Sequence, residues 1–447
     1  MLFRDRVAAI VLLYVTLAAS GCINGQSRDI PPAPTAAPPG AAVFVYVAQA
    51  NDPVLGTNGG AVAVYKLGSD GFLPGGPPQA TANVVNPRRL VRHPELPVLY
   101  VASSSQILAF YITGGGLVSL CGPGGGLAPP CATEARPGSN PVDMKFLRNS
   151  SGQYLLYVVE QGGGQNLQTT TRLSAYELGS NGELPSLPSS QAQTLDAIAY
   201  EGAEITEQFA YVGDVGHSDI IRFPLQEDGN LPDIPPTPTP LVPTPSPEPT
   251  PTVAPTQTPL PSPSPTAYQA NGPQKMIQAV VPAPSPTAPG QLQTLLYIVQ
   301  TSRKRISVEP IDEAGDIPKP PTSESNTRGI YNSIVIDSFA NPTRIFGAAF
   351  QNGQVDSFAI QADGNIVDNT LSATFANTAS YPTGLALLDF TPAGGSPSRT
   401  VFVSLGGFNR VDAYAVNQDG TIAERPYSST EPQDNTFPAD VLVYVAQ

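Results

Sequence analysis

VAVYKLGSDGFL, residues 62–73, reads as a short strand, an Asp-Gly turn and an apolar residue that opens the next strand. Asp-Gly or Asn-Gly at a two-residue turn is the strongest local hairpin signal, because both central positions need positive φ. The phrase returns as LSAYELGSNGEL (173–184), IIRFPLQEDGNL (220–231), ISVEPIDEAGDI (306–317), VDSFAIQADGNI (355–366) and VDAYAVNQDGTI (411–422). A less regular copy, ILAFYITGGGLVSL (107–120), takes its turn from glycines. Upstream of the copies stand the apolar words VFVYVAQ (43), VLYVASS (98), LLYVVEQ (155), FAYVGDV (209), LLYIVQT (295), IFGAAFQ (345) and VFVSLGG (401). A third word precedes six of these: NPRRLVRHP (86), NPVDMKFL (140), TLDAIAYE (194), KMIQAVV (275), NSIVIDSF (332) and YPTGLALLDF (381). Each unit therefore runs inner strand, second strand, third strand, turn and fourth strand.

Four short antiparallel strands recurring at about 45–55 residues predict an all-β chain, a seven-bladed β-propeller. The alternative is a β-sandwich, which does not account for seven correlated copies of a three-word phrase. The first unit lacks an inner strand of its own. The last seven residues, VLVYVAQ (441–447), follow Phe437-Pro438-Ala439-Asp440, which matches the lead-in Asn140-Pro141-Val142-Asp143. The C-terminal strand is thus expected to supply the inner strand of blade 1 and close the ring, removing an open sheet edge.

Residues 1–22 stand outside this pattern. Arg4 and Arg6 precede the apolar run VAAIVLLYVTLAAS, a secretory layout too short to span a bilayer comfortably. The stretch Leu17-Ala18-Ala19-Ser20-Gly21-Cys22 resembles a bacterial lipoprotein signal, with Ala19 where Leu is commoner. That resemblance implies lipidation at Cys22 and an exported protein anchored to a membrane, at the cell surface or in the periplasm. Residues 23–42 read as a Pro-rich tether, reaching up to roughly 60 Å in polyproline II geometry. Residues 43–447 form the propeller, interrupted at 235–266 by a Pro/Thr/Ser-rich insert that cannot donate to a ladder and must leave the sheet. Cys121 and Cys131 bracket a Gly/Pro loop that a disulfide would close in an oxidising compartment; two free thiols are the alternative.

A net charge of −14, from 22 basic and 36 acidic residues, argues against nucleic acid as partner. No phosphate-binding loop, EF-hand, metalloprotease or nucleophile-elbow motif occurs, so neither metal nor cofactor is expected. The expected partners are a membrane, through the lipid, and a small-molecule, glycan or protein ligand at the propeller mouth. The protein itself is expected to be monomeric.

The repeated Φ-Y-V words and Asp/Asn-Gly turns resemble those of the lactonase-type seven-bladed propellers, described by YVTN-like repeats and including 6-phosphogluconolactonase. The resemblance spans about residues 43–447. It implies the fold and lactone chemistry as an option. Those enzymes carry a Gly-Pro-Arg-His phrase at an inner strand. Here Asn86-Pro87-Arg88-Arg89 stands in its place, with Arg89 where histidine is expected, and His93 matches a connecting His-Pro. The family's Asp-x-Gly…Asp loop is matched at Asp214, Gly216 and Asp219.

His217 lies in that loop, and only one other histidine, His93, exists in the chain to serve as general acid or base. Arg88, Arg89 and His217 are therefore the candidate catalytic residues, with Asp214, Asp219 and Arg222 as candidate binding residues. Asp143, Asp196, Asp337 and Asp440, on inner-strand words, either line the channel or bond backbone amides between blades. The function expected is that of a binding or scaffold protein; the alternative is a divergent lactonase acting on a small acidic or sugar lactone.

Overall fold

The computed structural model describes residues 41–51, 60–113, 116, 118–120, 132–134, 139–162, 171–192, 200–232, 265–270, 273–282, 292–317, 321–327, 329–337, 343–374, 380–390, 398–417, 419–432 and 436–446. Cys22, Cys121, Cys131, Asp196, the tether to residue 40 and the insert core at 235–264 lie outside these residues. Among the described residues no helix is long and apolar enough to cross a membrane.

The chain forms seven sheets of four antiparallel strands. Blade 1 holds β1 (Val43–Asn51), β2 (Ala61–Lys66) and β3 (Ala80–Asn83). Blade 2 holds β4 (Arg89–Arg92), β5 (Val98–Ala102), β6 (Ile107–Ile112) and β7 (Val118–Leu120). Blade 3 holds β8 (Ser139–Arg148), β9 (Tyr154–Gly162), β10 (Arg172–Glu177) and β11 (Ser190–Ala192). Blade 4 holds β12 (Tyr200–Ile205), β13 (Phe209–Asp214), β14 (Asp219–Pro224) and β15 (Thr266–Gln269). Blade 5 holds β16 (Pro273–Pro282), β17 (Leu292–Gln300), β18 (Arg305–Ile311) and β19 (Ser323–Asn326). Blade 6 holds β20 (Tyr331–Asp337), β21 (Arg344–Ala349), β22 (Gln354–Ile360) and β23 (Ile366–Thr374). Blade 7 holds β24 (Pro382–Phe390), β25 (Ser398–Leu405), β26 (Arg410–Val416) and β27 (Ser428–Ser429). The last strand, β28 (Thr436–Val445), pairs with β1 as the inner strand of blade 1. The ring is closed by the chain's own end, as the lead-in Phe437-Pro438-Ala439-Asp440 predicts.

The second strands are apolar at consecutive positions because each blade is covered on both faces. Leu155, Tyr157 and Val159 of β9 pack with blade 4, while Leu156 and Val158 pack with blade 2. Buried apolar side chains fall into seven such clusters, one between each pair of neighbouring blades. This propeller has seven cores arranged around a polar axis.

Two expectations about the repeated turn need correcting. It is a three-residue loop, not a two-residue one: the Gly68 carbonyl accepts from Gly71 N, and Gly68 N donates to the Phe72 carbonyl, each at 2.9 Å. Only Gly71 takes positive φ, at 83°, which is the geometry of a type I turn followed by a left-handed glycine. The preceding aspartate serves through its side chain instead: Asp70 Oδ1 accepts from Phe72 N at 3.0 Å. Nor does the apolar residue after the turn open the fourth strand in most blades. Leu73 and Leu231 are buried against the preceding blade, well before β3 and β15 begin.

The same turns are locked to their neighbours by the tyrosine of the apolar word. Tyr46, Tyr100, Tyr211 and Tyr297 donate to the carbonyls of Gly116, Gly182, Gly315 and Gly364 in the following blade, at 3.1, 2.6, 2.8 and 2.8 Å. Tyr157 donates likewise to Gly229. Where the word carries phenylalanine, at Phe346 and Phe402, another hydroxyl substitutes. Ser357 Oγ donates to the Gly420 carbonyl at 3.2 Å, and Tyr427 OH to the Gly71 carbonyl at 3.3 Å.

In blade 4 the described part of the inner strand is Tyr200–Ile205; residues 194–199 of the word TLDAIAYE lie outside the described residues. The strand contains Gly202, which argues against a strand in a linear reading. Here the glycine is needed, because a Cβ would meet the Gln274 carbonyl of blade 5 at 2.6 Å.

Candidate functional site

Strand register defines the two ends of the channel. Inner strands start beside the ends of second strands, as Arg89 opposite Ala102 and Lys275 opposite Val299 show. The starts of all inner strands and the second-to-third-strand loops therefore share one end. The Asp-Gly turns lie at the other.

At the first end each inner strand carries a β-bulge. The register skips one residue between Pro141 and Asp143, Tyr200 and Gly202, Pro273 and Lys275, Tyr331 and Ser333, Pro382 and Gly384, and Pro438 and Asp440. In β4 the Arg88 amide donates at 2.8 Å to Ala102, the residue already opposite Arg89. Bulges re-aim side chains and recur beside functional sites. The bulged residues form a ring: Arg88, Val142, Glu201, Gln274, Asn332, Thr383 and Ala439.

Charged groups gather in the blade 1 to blade 5 sector of this ring. Arg89 bridges three blades, with Nη1 at 3.4 Å from Asp440 and Nε at 3.4 Å from Asp143. Lys145 Nζ lies 2.8 Å from Glu204. These groups also satisfy the open edges of the inner strands, whose backbone faces the channel. Leu90 N donates to Asp440 at 3.0 Å, and Ala203 N donates to Asp143 at 3.2 Å. Lys275 Nζ donates to the Glu201 carbonyl at 3.3 Å, and Gln278 Nε2 to the Ile205 carbonyl at 3.3 Å. Asp143 and Asp440 thus take the amide-bonding role between blades.

The electrostatics follow from this packing. Burial alone would raise the Asp143 carboxyl, but the charges of Lys275, Arg89 and Lys145 outweigh it and hold it below its ordinary value. Asp440 and Asp143 hold the Arg89 guanidinium firmly charged against burial. Lys275 is different: burial lowers it, more than the attraction of Asp143 restores. Neither Lys275 nor the exposed Arg88 has a carboxylate at ion-pair distance among the described residues. Arg88 is drawn by the charge of Glu201, whose Oε1 accepts from Gln161 Nε2 at 2.8 Å.

His217 sits in the loop between β13 and β14, at the same end as this ring. Its Nδ1 lies 3.0 Å from Asp214 Oδ2, and the Asp214 side chain is buried. Asp214 Oδ1 also accepts from Gly216 N at 3.0 Å, so the carboxylate both shapes the loop and orients the imidazole. Arg88 and Arg89 make no hydrogen bond or ion pair with His217. Asp219 stands opposite Asp214 at the start of β14. Arg222 lies three residues further along, towards the turn end. There its Nη1 contacts Asp316 at 2.6 Å and the Ala314 carbonyl at 2.8 Å, with its guanidinium 4.7 Å over Phe209. Arg222 therefore clamps the blade 5 turn and does not join His217. Asp337 is at the far end of β20, 3.2 Å from Arg399, away from the inner-strand bulges.

Lys145, Glu201, Glu204 and Lys275 were not singled out by the sequence reading. The signal for Lys275 was present: Asn271-Gly272-Pro273-Gln274-Lys275 repeats the proline spacing of Asn86-Pro87-Arg88-Arg89. Among the described residues no three His, Cys, Asp or Glu side chains gather to hold a metal ion.

No family model matches the chain, and no curated protein matches it by sequence. Solved structures do. The periplasmic gluconolactonase PpgL of Pseudomonas aeruginosa aligns with a TM-score of 0.63 at 14% identity, covering 91% of this chain and 100% of that one. A candidate 6-phosphogluconolactonase of Bacteroides fragilis aligns at 0.59 and 11%, covering 91% and 98%. A second from Bacteroides uniformis aligns at 0.56 and 12%, covering 90% and 100%. At such identities the likeness is one of architecture: this chain has the seven-bladed propeller fold of the gluconolactonase-like structures.

Proposed function

We propose that this protein is an exported propeller that binds a small organic anion, a sugar acid or its lactone, at the bulged mouth of its channel. The observation that carries the reading is the pair of cations, Arg88 and Lys275. Arg88 lies in the ring of bulged residues and Lys275 directly follows its member Gln274; among the described residues neither has an ion-paired carboxylate, while Arg89 and Lys145 beside them are paired. Arginine offers a planar fork for a carboxylate and lysine a compact charge, a useful pair for one anionic group. Export is supported by the signal-like N-terminus and by the periplasmic protein among the similar structures.

Lactone hydrolysis is the second reading. It is favoured by the His217–Asp214 pair at the same end, where a neutral imidazole could deprotonate water. Calorimetry with D-gluconate, beside turnover of D-glucono-δ-lactone, separates the two. Arg88→Ala and Lys275→Gln are expected to weaken gluconate binding by at least about tenfold each, the scale of one lost charge-assisted contact. Unchanged affinity in both variants would remove the anion reading. Turnover lost in His217→Ala, with gluconate binding retained, would establish the enzyme.

A further inference from the structure

The mouth has a second, apolar sector. Tyr381 immediately precedes Pro382 at the start of β24, the place that Asn86 holds before Pro87 in blade 2. Both residues have positive φ, 46° for Tyr381 and 48° for Asn86. Asparagine adopts this left-handed region readily, whereas a bulky aromatic is a genuine outlier there. The conformation is held from outside: the Tyr381 carbonyl accepts from Gly406 N at 2.9 Å. A residue kept in such a region by its surroundings is an indicator of function.

The side chain so placed is not spent on the core. Tyr381 is 38% exposed, and its hydroxyl makes no hydrogen bond among the described residues. Its ring stacks on Phe350, centroids 5.1 Å apart and planes 28° from parallel. Phe350 comes from the short turn Phe350–Asn352 that links β21 to β22 in blade 6, at the same end of the molecule. In blade 1 the corresponding position is Phe437, which lies over Gly406 so closely that a Cβ there would meet its ring at 2.2 Å.

Going round the ring, Tyr381 of blade 7, Phe437 of blade 1 and Asn86 with Arg88 of blade 2 are consecutive. Their inner strands are joined side by side, through Thr383 Oγ1 to the Pro438 carbonyl and through Leu90 N to Asp440. Around the ring, the aromatic positions of blades 7 and 1 are therefore followed by the cationic position of blade 2. A ligand fitting both has an apolar face of ring C–H groups and an anionic substituent at its edge.

We infer that the Tyr381–Phe350 pair is a stacking platform for the closed ring of a sugar acid whose carboxylate is drawn to Arg88. This rests on the anion reading above and adds a preference for a ring over an open chain. Aromatic faces favour C–H groups laid flat against them, and exposed phenol oxygen adds a partner for ring hydroxyls.

The test compares D-glucuronate, a pyranose with a carboxylate, and D-gluconate, an open-chain acid, by calorimetry on the intact protein. Wild-type protein is expected to bind glucuronate about tenfold more tightly than gluconate. Tyr381→Asn, which copies Asn86, is expected to remove that preference while the melting temperature stays level or rises. Equal affinity of wild type for the two acids, or a preference that survives Tyr381→Asn, overturns the platform and leaves the anion site standing. Binding of neither acid to wild type overturns the anion site and the platform with it. Phe350→Leu, which keeps the backbone unstrained, provides the same comparison should Tyr381→Asn fold poorly: loss of the preference supports the platform and its retention overturns it.

Discussion

His93 shows what a single residue contributes here. It is buried, with Tyr154 edge-on at 4.6 Å and Phe146 at 5.7 Å. Its Nδ1 accepts from Glu95 N and Leu96 N at 3.2 and 3.0 Å, which requires the neutral ring with its proton on Nε2. Burial pulls the imidazole down from 6.5 to about 4. Below 6.5 the unfolded chain binds a proton that the folded one refuses, so this residue's contribution is present at neutral pH. It is lost as pH falls from 6.5 towards 4, by up to about 3 kcal/mol. Denaturant melts at pH 7 and pH 4.5 should show that loss, and His93→Asn should flatten it; an unchanged slope in the variant would refute the assignment. The role was legible in the sequence, because His-Pro between two strands reads as a turn. That Tyr381 would carry positive φ was not legible, since Tyr-Pro alone does not reveal what holds the preceding backbone.

At the scale of elements, the repeated words acquire their meaning only in pairs. Where the apolar word carries tyrosine, that tyrosine and the glycine of the next blade's turn are one contact, made between residues from 67 apart (Tyr297 and Gly364) to 104 apart (Tyr211 and Gly315). Burial pushes these phenols up, so they stay protonated donors well above neutral pH. Tyr297→Phe should cost about 1–2 kcal/mol by leaving the Gly364 carbonyl without its donor. Phe346→Tyr should give no matching gain, because Ser357 already donates to Gly420. Chemical denaturation of the two variants checks this, and equal effects would sink the lock. Strand and turn order was plain from the sequence. What the sequence does not reveal is why blade 4 carries Gly202 within its inner strand: only the neighbouring Gln274 carbonyl, which a Cβ would meet, explains it.

For the whole molecule, closure is the decisive feature. β28 lies between β1 of its own blade and β4 of the next, and its Asp440 anchors both Leu90 N and Arg89. Deleting 438–447 exposes the inner edge of β1, opens two inter-blade cores and leaves Arg89 with one partner. We expect the truncated protein to lose its cooperative melting transition altogether, followed by circular dichroism on heating. A transition within a few degrees of the full-length protein would contradict ring closure as the source of stability.

The amino-acid sequence by itself determined the blade number, the order of strands within a blade and the closing strand. Those are properties of local apolar patterns and turn chemistry, repeated often enough to be read against one another. The tertiary structure alone decided which polar groups meet. Arg89, Asp143 and Asp440 come from three different blades, and Tyr381 lies in a fourth, so no local pattern links them. What brings them together is the bulge repeated at the start of each inner strand, which turns residues far apart in the chain towards one mouth. The same geometry separates His217 from Arg222, five residues apart along a loop and strand yet serving opposite ends of the propeller: a strand that runs from one face to the other carries its side chains with it.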